Sequence, residues 1–266
     1  MFTIATFYRF VELENYEDMQ LPIKQFCVER SIKGTVLLAE EGINATIAGT
    51  NQAIEDFFTF MNSDYRLADI KWQESRASYQ PFDRMKVRLK LEIIRLGVDN
   101  LDMSDRGQYL SPEEWDKLML DKDVVVVDTR NTYEIKLGKF KSAVSPDTLN
   151  FRDFPSWAQT LPKDKKVAMY CTGGIRCEKS TAYMKTLGFK DVYHLQGGII
   201  NYLATTNNKQ DNWQGECFVF DDRVAINQDL TPSDQIKCVM CGEKASTDDL
   251  KSVPKGRVKC QDCIDG

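Results

Sequence analysis

The fold of the central part of this chain is decided by residues 165–180, KKVAMYCTGGIRCEKS. The apolar run Val167–Tyr170 predicts a buried strand, and residues 178–188, EKSTAYMKTLG, predict a helix. Between them Cys171 and Cys177 bracket two glycines and Arg176. Cys171 therefore lies at the carboxyl end of a strand, where open α/β sheets bind their ligands.

Two further apolar runs predict strands beside this one, at residues 123–130, DVVVVDTR, and 191–196, DVYHLQ. Four consecutive valines are typical of a strand that is buried on both faces, as in a parallel sheet. Short helical patterns at 113–120 and 156–161 alternate with the strands. This alternation predicts a central α/β domain over residues 113–206.

The first 97 residues show a different order of elements. Helices are predicted at 21–33 and 51–62, with Asn51 near the start of the second. Strands are predicted at residues 5–10, twice within 35–48 around a turn at Glu41-Gly42, and at 68–75. The order β-α-β-β-α-β predicts a ferredoxin-like domain of the α+β class over residues 1–97. Residues 98–112 are polar and rich in turn formers, which predicts a linker, and residues 207–266 are predicted as a small cysteine-rich extension.

The composition narrows the classes of function. Of 266 residues, 42% are hydrophobic and 28% charged, as in ordinary globular proteins. No run approaches the roughly 18 apolar residues of a membrane span, and the N-terminus lacks a basic start, so we expect a cytoplasmic protein without a membrane contact. The net charge of −5 excludes a global basic field, so nucleic acid would have to bind a local patch.

The cysteines and the histidine limit the chemistry. Eight cysteines in a chain of this size and type favour metal binding and catalysis over a disulfide framework. The single histidine, His194, excludes a two-histidine iron site within one chain, and it is the one imidazole that a Cys–His pair could use. No GxGxxG nucleotide-binding motif is present.

The loop after the strand has the parts of a thiolate site. A thiol acts as a nucleophile or sulfur carrier as the thiolate, which needs stabilisation near neutral pH. The glycines of the loop allow backbone N–H groups to converge, the following helix directs its positive dipole end at the sulfur, and Arg176 adds a charge. The predicted active-site loop is Thr172, Gly173, Gly174 and Ile175. The alternative is that Cys171 is a core cysteine beside a glycine turn.

A basic stripe is predicted in residues 81–97, PFDRMKVRLKLEIIRLG. The alternation predicts a strand with Met85, Val87, Leu89 and Leu91 on one face. The opposite face would carry Arg84, Lys86, Arg88 and Lys90. This face is either a solvated edge that discourages pairing or a surface that contacts nucleic-acid phosphates.

Two CxxC pairs lie near the C-terminus, at Cys238/Cys241 and Cys260/Cys263. This spacing predicts a tetrahedral four-cysteine site, with structural zinc favoured and iron as a second choice. The alternative is four free thiols.

The residues around Cys171 resemble a known family. CTGGIR resembles the active-site loop of rhodanese domains, which carry sulfur as a persulfide on the leading cysteine. Residues 128–143 resemble the D-x-R-x-x-x-E segment of that family through Asp128, Arg130 and Glu134, although Lys139 stands where a histidine is usual. Residues 195–203 resemble its closing glycine segment. The resemblance implies supporting roles for the matched residues, and the short loop suits sulfur better than phosphate.

Cys177 departs from simple rhodaneses, which commonly have a small residue after this arginine. It would either resolve a persulfide or sulfenic acid on Cys171 through a disulfide, or pack inward as an ordinary residue of the first helical turn.

A narrower resemblance covers nearly the whole chain. EEGINATIAG (40–49), RMKVRLK (84–90), the Cys171 loop and FVFDDR (218–223) together resemble the tRNA uridine hydroxylase family. This resemblance implies oxygen-dependent 5-hydroxylation of the wobble uridine, with tRNA as the partner and molecular oxygen as co-substrate. It also favours tRNA binding by the basic stripe. The wobble uridine would enter near Cys171 and stack on an aromatic such as Tyr170 or Tyr133.

The mechanism and two other functions stay open at this point. Attack of Cys171 at C6 of the uracil, which activates C5, is our hypothesis for the chemical step. The first alternative is a rhodanese-type sulfurtransferase with a persulfide on Cys171, and a sulfur or electron donor protein would then be a partner. The second is a non-enzymatic binding module with a vestigial loop.

Overall fold

The computed structural model describes residues 1–206, 212–233 and 263. The chain divides into two compact units, Met1–Ile94 and Arg95–Gly266. Cys238, Cys241 and Cys260 lie outside the described residues. Among the described residues, no helix is long and apolar enough to cross a membrane.

The first unit has the predicted β-α-β-β-α-β order, followed by one additional strand. Its sheet has the strand order β4-β1-β3-β2-β5. All neighbours are antiparallel except β2 and β5, which are parallel. Its elements are β1 (Phe2–Phe10), α1 (Tyr16–Glu29), β2 (Lys33–Ala39), β3 (Gly42–Gly49), α2 (Asn51–Met61), β4 (Gln73–Ala77) and β5 (Met85–Leu89). The ferredoxin-like prediction is confirmed.

Periodic apolar residues account for this arrangement. Helix α2 buries residues at helical spacing against the sheet, among them Ile54, Phe57 and Met61. The helix begins with Thr50 as its cap, since the Thr50 side chain accepts a hydrogen bond from the backbone of Ala53 at 3.2 Å. Asn51 is the first residue of the helix, in agreement with its predicted position near the start.

The alternation predicted for β5 holds only in its first half. Met85 and Val87 are buried, but Leu89 and Leu91 are 36% and 95% exposed. The reason is that β5 pairs with β2 only as far as Leu89, after which the chain leaves the sheet. The prediction that Leu91 continues the strand face of Met85, Val87 and Leu89 was therefore wrong, because the strand ends at Leu89.

The second unit is built on a parallel sheet, as the apolar runs predicted. Its strand order is β6-β10-β9-β7, and all three pairings are parallel. The strands and helices as far as the candidate site are β6 (Gln108–Leu110), α3 (Pro112–Leu118), β7 (Val124–Asp128), α4 (Thr132–Ile135), β8 (Gly138–Phe140), α5 (Phe154–Ala158) and β9 (Lys166–Tyr170). They are followed by α6 (Ile175–Thr186), β10 (Val192–Leu195), α7 (Gly198–Thr205), β11 (Trp213–Gly215), β12 (Cys217–Phe218) and β13 (Ala225–Ile226).

Both segments that flank the predicted α/β domain are involved in its fold. The segment 98–112, predicted as a linker, contains β6, which extends the parallel sheet, and the first residue of α3. On the other side, β11 pairs with β8, and β12 and β13 form a hairpin. Trp213 packs edge-on against Phe140 with ring centroids 5.2 Å apart, and both rings are buried. Residues 213–226 therefore complete the core of this unit, although the sequence suggested a loop-like extension.

Candidate active site

Cys171 follows the last residue of the buried strand β9 and precedes the helix α6. The loop is tight because Gly174, the cap of α6, has a φ of 99°, a conformation that favours glycine. The helix begins at Ile175, earlier than the expected start near Cys177, so that Arg176 and Cys177 lie in its first turn. The thiol is thus positioned against a helix N-terminus, where anions are stabilised.

The surroundings of Cys171 favour its thiolate. The backbone N–H of Gly174 donates a hydrogen bond to the Cys171 Sγ at 3.1 Å. Burial acts to raise the pKa of Cys171, but a hydrogen bond from the Cys177 thiol, the charge of Arg176 and the amides of Cys177 and Arg176 outweigh it. The net effect lowers the pKa of Cys171 to about 6. The contacts of the sulfur therefore favour its thiolate form.

The surroundings of Cys177, in contrast, favour its protonated thiol. Its pKa is raised well above the ordinary value, first by burial and then by the hydrogen bond to Cys171 and the charge there. The Oγ1 of Thr129 lies 3.7 Å from the Cys177 Sγ and also donates to the carbonyl of Tyr170 at 3.0 Å. The two thiols therefore form an asymmetric pair, in which Cys177 keeps its proton and Cys171 carries the charge.

Arg176 is held by a carboxylate. Its guanidinium donates to both carboxylate oxygens of Glu134, at 2.6 and 2.7 Å, and both side chains are buried. Glu134 also accepts from the backbone N–H of Asn131 at 3.0 Å, which fixes it at the start of α4. Thr172 lies 3.5 Å from both Arg176 and Glu134. The charge of Arg176 thus acts on the loop from a fixed position.

Asp128 and Arg130 form a second buried ion pair. Arg130 donates to Asp128 at 2.9 and 2.6 Å and to the carbonyl of Gly138 at 2.6 Å. Its guanidinium also lies near the rings of Tyr170 and Trp213. These contacts join the end of β7 to β8, so the pair supports the frame of the site.

The start of α7 is packed against the Cys171 loop. The amides of Ile199 and Ile200 donate to the carbonyls of Cys171 and Thr172 at 3.0 and 3.1 Å. A Cβ added at Gly198 would come within 2.3 Å of the Cys171 carbonyl oxygen. Only glycine therefore allows this approach, which accounts for Gly198 in the segment 195–203.

The aromatic residues differ from those suggested by the sequence. Tyr170 is fully buried, packs on Trp115 and Phe140, and accepts a hydrogen bond from the Phe140 amide. It is a core residue, so the suggestion that it stacks on a substrate was wrong. The exposed ring next to the site belongs to Phe220, whose centroid lies 5.9 Å from the Arg176 Cζ. No pattern in the sequence indicated this exposure, because residues 218–220 are Phe-Val-Phe and the first two of them are buried.

The single histidine lies in other surroundings. His194 is buried in β10, and its ring stacks on Tyr109 with centroids 4.2 Å apart. Burial lowers the pKa of His194 to about 4, although the charge of Glu178 opposes this. His194 is therefore neutral, and the groups around it are Tyr109, Glu178 and Arg106.

The four cations of the predicted stripe lie in the first unit, on β5 and at its two ends. Arg84, Arg88 and Lys90 are exposed, and Lys86 is half-buried. Their side chains alternate with the buried Met85 and Val87, as the sequence predicted for this half of the strand.

The prediction of a structural zinc is corrected. Over residues 1–206, 212–233 and 263, no group of three or more His, Cys, Asp or Glu side chains could hold a metal ion. Of the four predicted ligands only Cys263 is among these residues, and it is not part of a disulfide. Within the part of the chain that the structure describes, there is thus no four-cysteine site of the kind that the CxxC spacing predicted. Zinc is therefore not retained as a cofactor.

Comparison with known protein families assigns both parts of the chain. Residues 2–93 match the UPF0176 acylphosphatase like domain, and residues 111–205 match the rhodanese-like domain. Among solved structures, a rhodanese-related protein from Thermoplasma volcanium covers 36% of this chain and 91% of its own, at 20% identity and a TM-score of 0.32. A score this low supports no further inference.

Curated relatives match over almost the full length. The tRNA uridine(34) hydroxylase of Wolbachia pipientis subsp. Culex pipiens (strain wPip) is 63% identical over 264 residues, covering 98% of this chain and 94% of the relative. The protein of the same name from Anaplasma marginale (strain Florida) is 55% identical over 266 residues, covering 98% and 96%. That from Ehrlichia canis (strain Jake) is 52% identical over 267 residues, covering 98% and 97%.

Proposed function

The chain belongs to the tRNA uridine(34) hydroxylase family, and we propose on that basis that it hydroxylates uridine 34 of tRNA with Cys171 as the reactive thiolate. The identity of 52–63% over almost the entire chain supports the assignment of the reaction. The observation that supports its role is the hydrogen bond from the Gly174 amide to the Cys171 sulfur at the N-terminus of α6, a geometry that lowers the pKa of this thiol.

The proposed chemical step uses the sulfur as a nucleophile. Addition of Cys171 to C6 of the uracil ring breaks the C5–C6 π bond and leaves its electron pair on C5. C5 then attacks the terminal oxygen of a hydroperoxide-class oxidant, ROOH: the new C–O bond forms as the O–O bond breaks, and RO⁻ leaves with the electron pair of that bond. Loss of the C5 proton and departure of the sulfur restore the double bond and the thiolate. Hydroxylation at C5 is thus the outcome that this chemistry favours.

Arg176, with the loop residues Thr172, Gly173, Gly174 and Ile175, has a positioning role in this proposal. The Gly174 amide and the Arg176 charge stabilise the thiolate before attack and again when the sulfur leaves. Glu134 keeps the guanidinium in position, and the Asp128–Arg130 pair keeps the strand ends together. Each of these groups therefore contributes to the reaction by stabilising or positioning the thiolate of Cys171.

Cys177 is proposed as a resolving thiol. If Cys171 is oxidised to a sulfenic acid, attack by the Cys177 sulfur forms a disulfide and releases water. Cys177 lies in the first turn of α6, directly after the loop whose Gly174 amide bonds to the Cys171 sulfur, and this placement supports the role. A protein that donates electrons would then restore the two thiols.

The basic stripe is proposed as part of the tRNA-binding surface. Arg84, Arg88 and Lys90 are exposed and carry their charge in an acidic protein, and Lys86 lies between them. Contacts with phosphates release counterions, so each lost contact should reduce the salt dependence of binding by about 0.7–0.9 in the log–log slope. The variant Arg88→Ala/Lys90→Ala should bind tRNA more weakly with a smaller slope, whereas Lys163→Ala/Lys165→Ala, which removes the same charge from exposed positions in the second unit, should not.

Nucleoside mass spectrometry tests the proposed reaction. Unmodified tRNA is incubated with the wild-type protein or with Cys171→Ser, digested, and analysed for hydroxylated and thiolated uridine. We expect hydroxylated uridine with the wild type and none with the variant, although tRNA binding persists. Thiolated uridine in its place would identify a sulfurtransferase, which the rhodanese-like domain makes the second candidate. Full hydroxylation by Cys171→Ser would refute the role of the thiolate.

We also propose that the protein is cytoplasmic, because its proposed substrate is tRNA. Fractionation of the native organism should recover the protein with soluble tRNA-modifying activity.

A further inference from the structure

The aromatic residue beside the thiol loop has exposed surface that its packing does not explain. Phe220 is 58% exposed, whereas the other phenylalanines described in the second unit are buried. An exposed phenylalanine contributes little to folding, because its apolar area stays in water. Its position next to Arg176 therefore calls for a different explanation.

The hairpin that carries Phe220 is rigid. β12 and β13 pair at Phe218 and Ala225, and the amide of Val219 donates to the carbonyl of Val224 at 2.9 Å. Within the turn, Arg223 donates to Asp221 at 2.7 and 2.6 Å, and this ion pair is buried. The tip of the hairpin is thus fixed by a buried ion pair and does not depend on the Phe220 ring.

The ring is held at its inner edge and is open on its outer side. Phe218 packs edge-on against Phe220 with centroids 5.1 Å apart, and Tyr133 packs edge-on against Phe218 at 5.3 Å. The Arg176 Cζ lies 5.9 Å from the Phe220 centroid. Since Arg176 is also one of the groups that act on Cys171, the exposed ring borders the surroundings of the reactive sulfur.

We propose that Phe220 binds the target uracil of tRNA by stacking and thereby orients it toward Cys171. Proteins recognise unpaired RNA bases mostly by stacking them on aromatic side chains, because every base has a π-face. The neighbouring guanidinium adds a group that attracts both the ring and the nucleotide. This inference rests on the proposed function, since it takes uridine 34 as the base that reaches the thiolate.

The test compares four substitutions at this position with a matched control. An anticodon stem-loop RNA with uridine at position 34 serves as substrate, and KM, kcat and the binding constant are measured for Phe220→Ala, Phe220→Leu, Phe220→Tyr and Phe220→Trp. Leu149→Ala is the control, because Leu149 is also an exposed apolar residue of the second unit. The absorbance of the Cys171 thiolate at 240 nm reports whether the loop is intact.

Loss of stacking should reduce kcat/KM of Phe220→Ala by roughly 5- to 150-fold, with an unchanged thiolate. Tyrosine and tryptophan should restore most of it, and leucine should not, because it lacks a π-face. Wild-type values in Phe220→Ala, or full rescue by leucine, would overturn the proposal. The binding constants separate this proposal from the proposed function. If the wild type does not hydroxylate the stem-loop but binds it more tightly than Phe220→Ala does, the stacking is supported and the proposed function is refuted. Equal binding by the two proteins would refute the stacking.

Discussion

Cys171 and Cys27 are both buried cysteines, yet their thiols have opposite acidities. The pKa of Cys171 is lowered to about 6. The pKa of Cys27 is raised to about 12, first by burial, against a smaller effect of the Arg30 charge. Burial penalises the thiolate in both cases, so it does not account for the difference.

The difference follows from where each cysteine lies on its helix. Cys171 precedes the N-terminus of α6, where free amides and the positive end of the helix dipole favour an anion. Cys27 lies in the last turn of α1, near the negative end of the dipole. Both have an arginine nearby. The comparison indicates that a single cation does not activate a buried thiol without converging hydrogen-bond donors.

The largest expected effect is the difference in pKa between the thiols of Cys171 and Cys27. Thiolate absorbance at 240 nm should rise through about pH 6 in the wild-type protein, and Cys171→Ser should lack that step. Cys27→Ala should keep it, since Cys27 stays protonated up to about pH 12. Hydroxylation that depends on the thiolate should rise with pH over the same range as the absorbance.

The same titration tests directly whether Cys171 is the acidic thiol and whether the groups around it lower its pKa. If Cys171→Ser retains the step near pH 6, the acidic thiol is another residue. If the step lies near the ordinary thiol pKa, the donors around Cys171 do not act as described.

A smaller effect is expected from the ion pair that holds Arg176. Glu134→Gln leaves a buried guanidinium without its counter-ion, which should lower the free energy of unfolding by about 3–5 kcal/mol. The matched control is Asp64→Asn, since Asp64 and Arg66 form a pair of similar length at partly exposed positions. Exposed pairs contribute about 0–1 kcal/mol. Urea unfolding of both variants measures the two values, and equal losses would show that burial of the Glu134 pair is unimportant.

The smallest expected effect concerns the hydrogen bond between the thiols. Cys177→Ala removes a donor to a charged acceptor, an interaction of about 1.5–3 kcal/mol, so the pKa of Cys171 should rise by about 1–2 units. Cys177→Ser retains a donor and should move it less. The same absorbance titration measures both variants, and an unchanged pKa in Cys177→Ala would assign the acidity to the amides and Arg176 alone.

The sequence was most informative where a pattern was long or chemically unusual. The valines of residues 124–127 and the glycines after Cys171 were sufficient to predict the parallel sheet and the thiol loop. The end of β5 could not be predicted, because it depends on where its partner strand stops. Strands of two or three residues, such as β11 and β12, show no measurable alternation. For that reason the contribution of Trp213 to the core and the exposure of Phe220 became apparent only in the structure.

The contact between α7 and the thiol loop has a consequence for what the loop can bind. The carbonyls of Cys171 and Thr172 accept hydrogen bonds from the amides of Ile199 and Ile200, and Gly198 lies directly against both carbonyl oxygens. Both carbonyl oxygens thus face α7, while the Gly174 amide faces the sulfur. The loop presents N–H groups and no oxygen ligands at this point, so part of its preference for an anion over a cation comes from the backbone and does not depend on side chains.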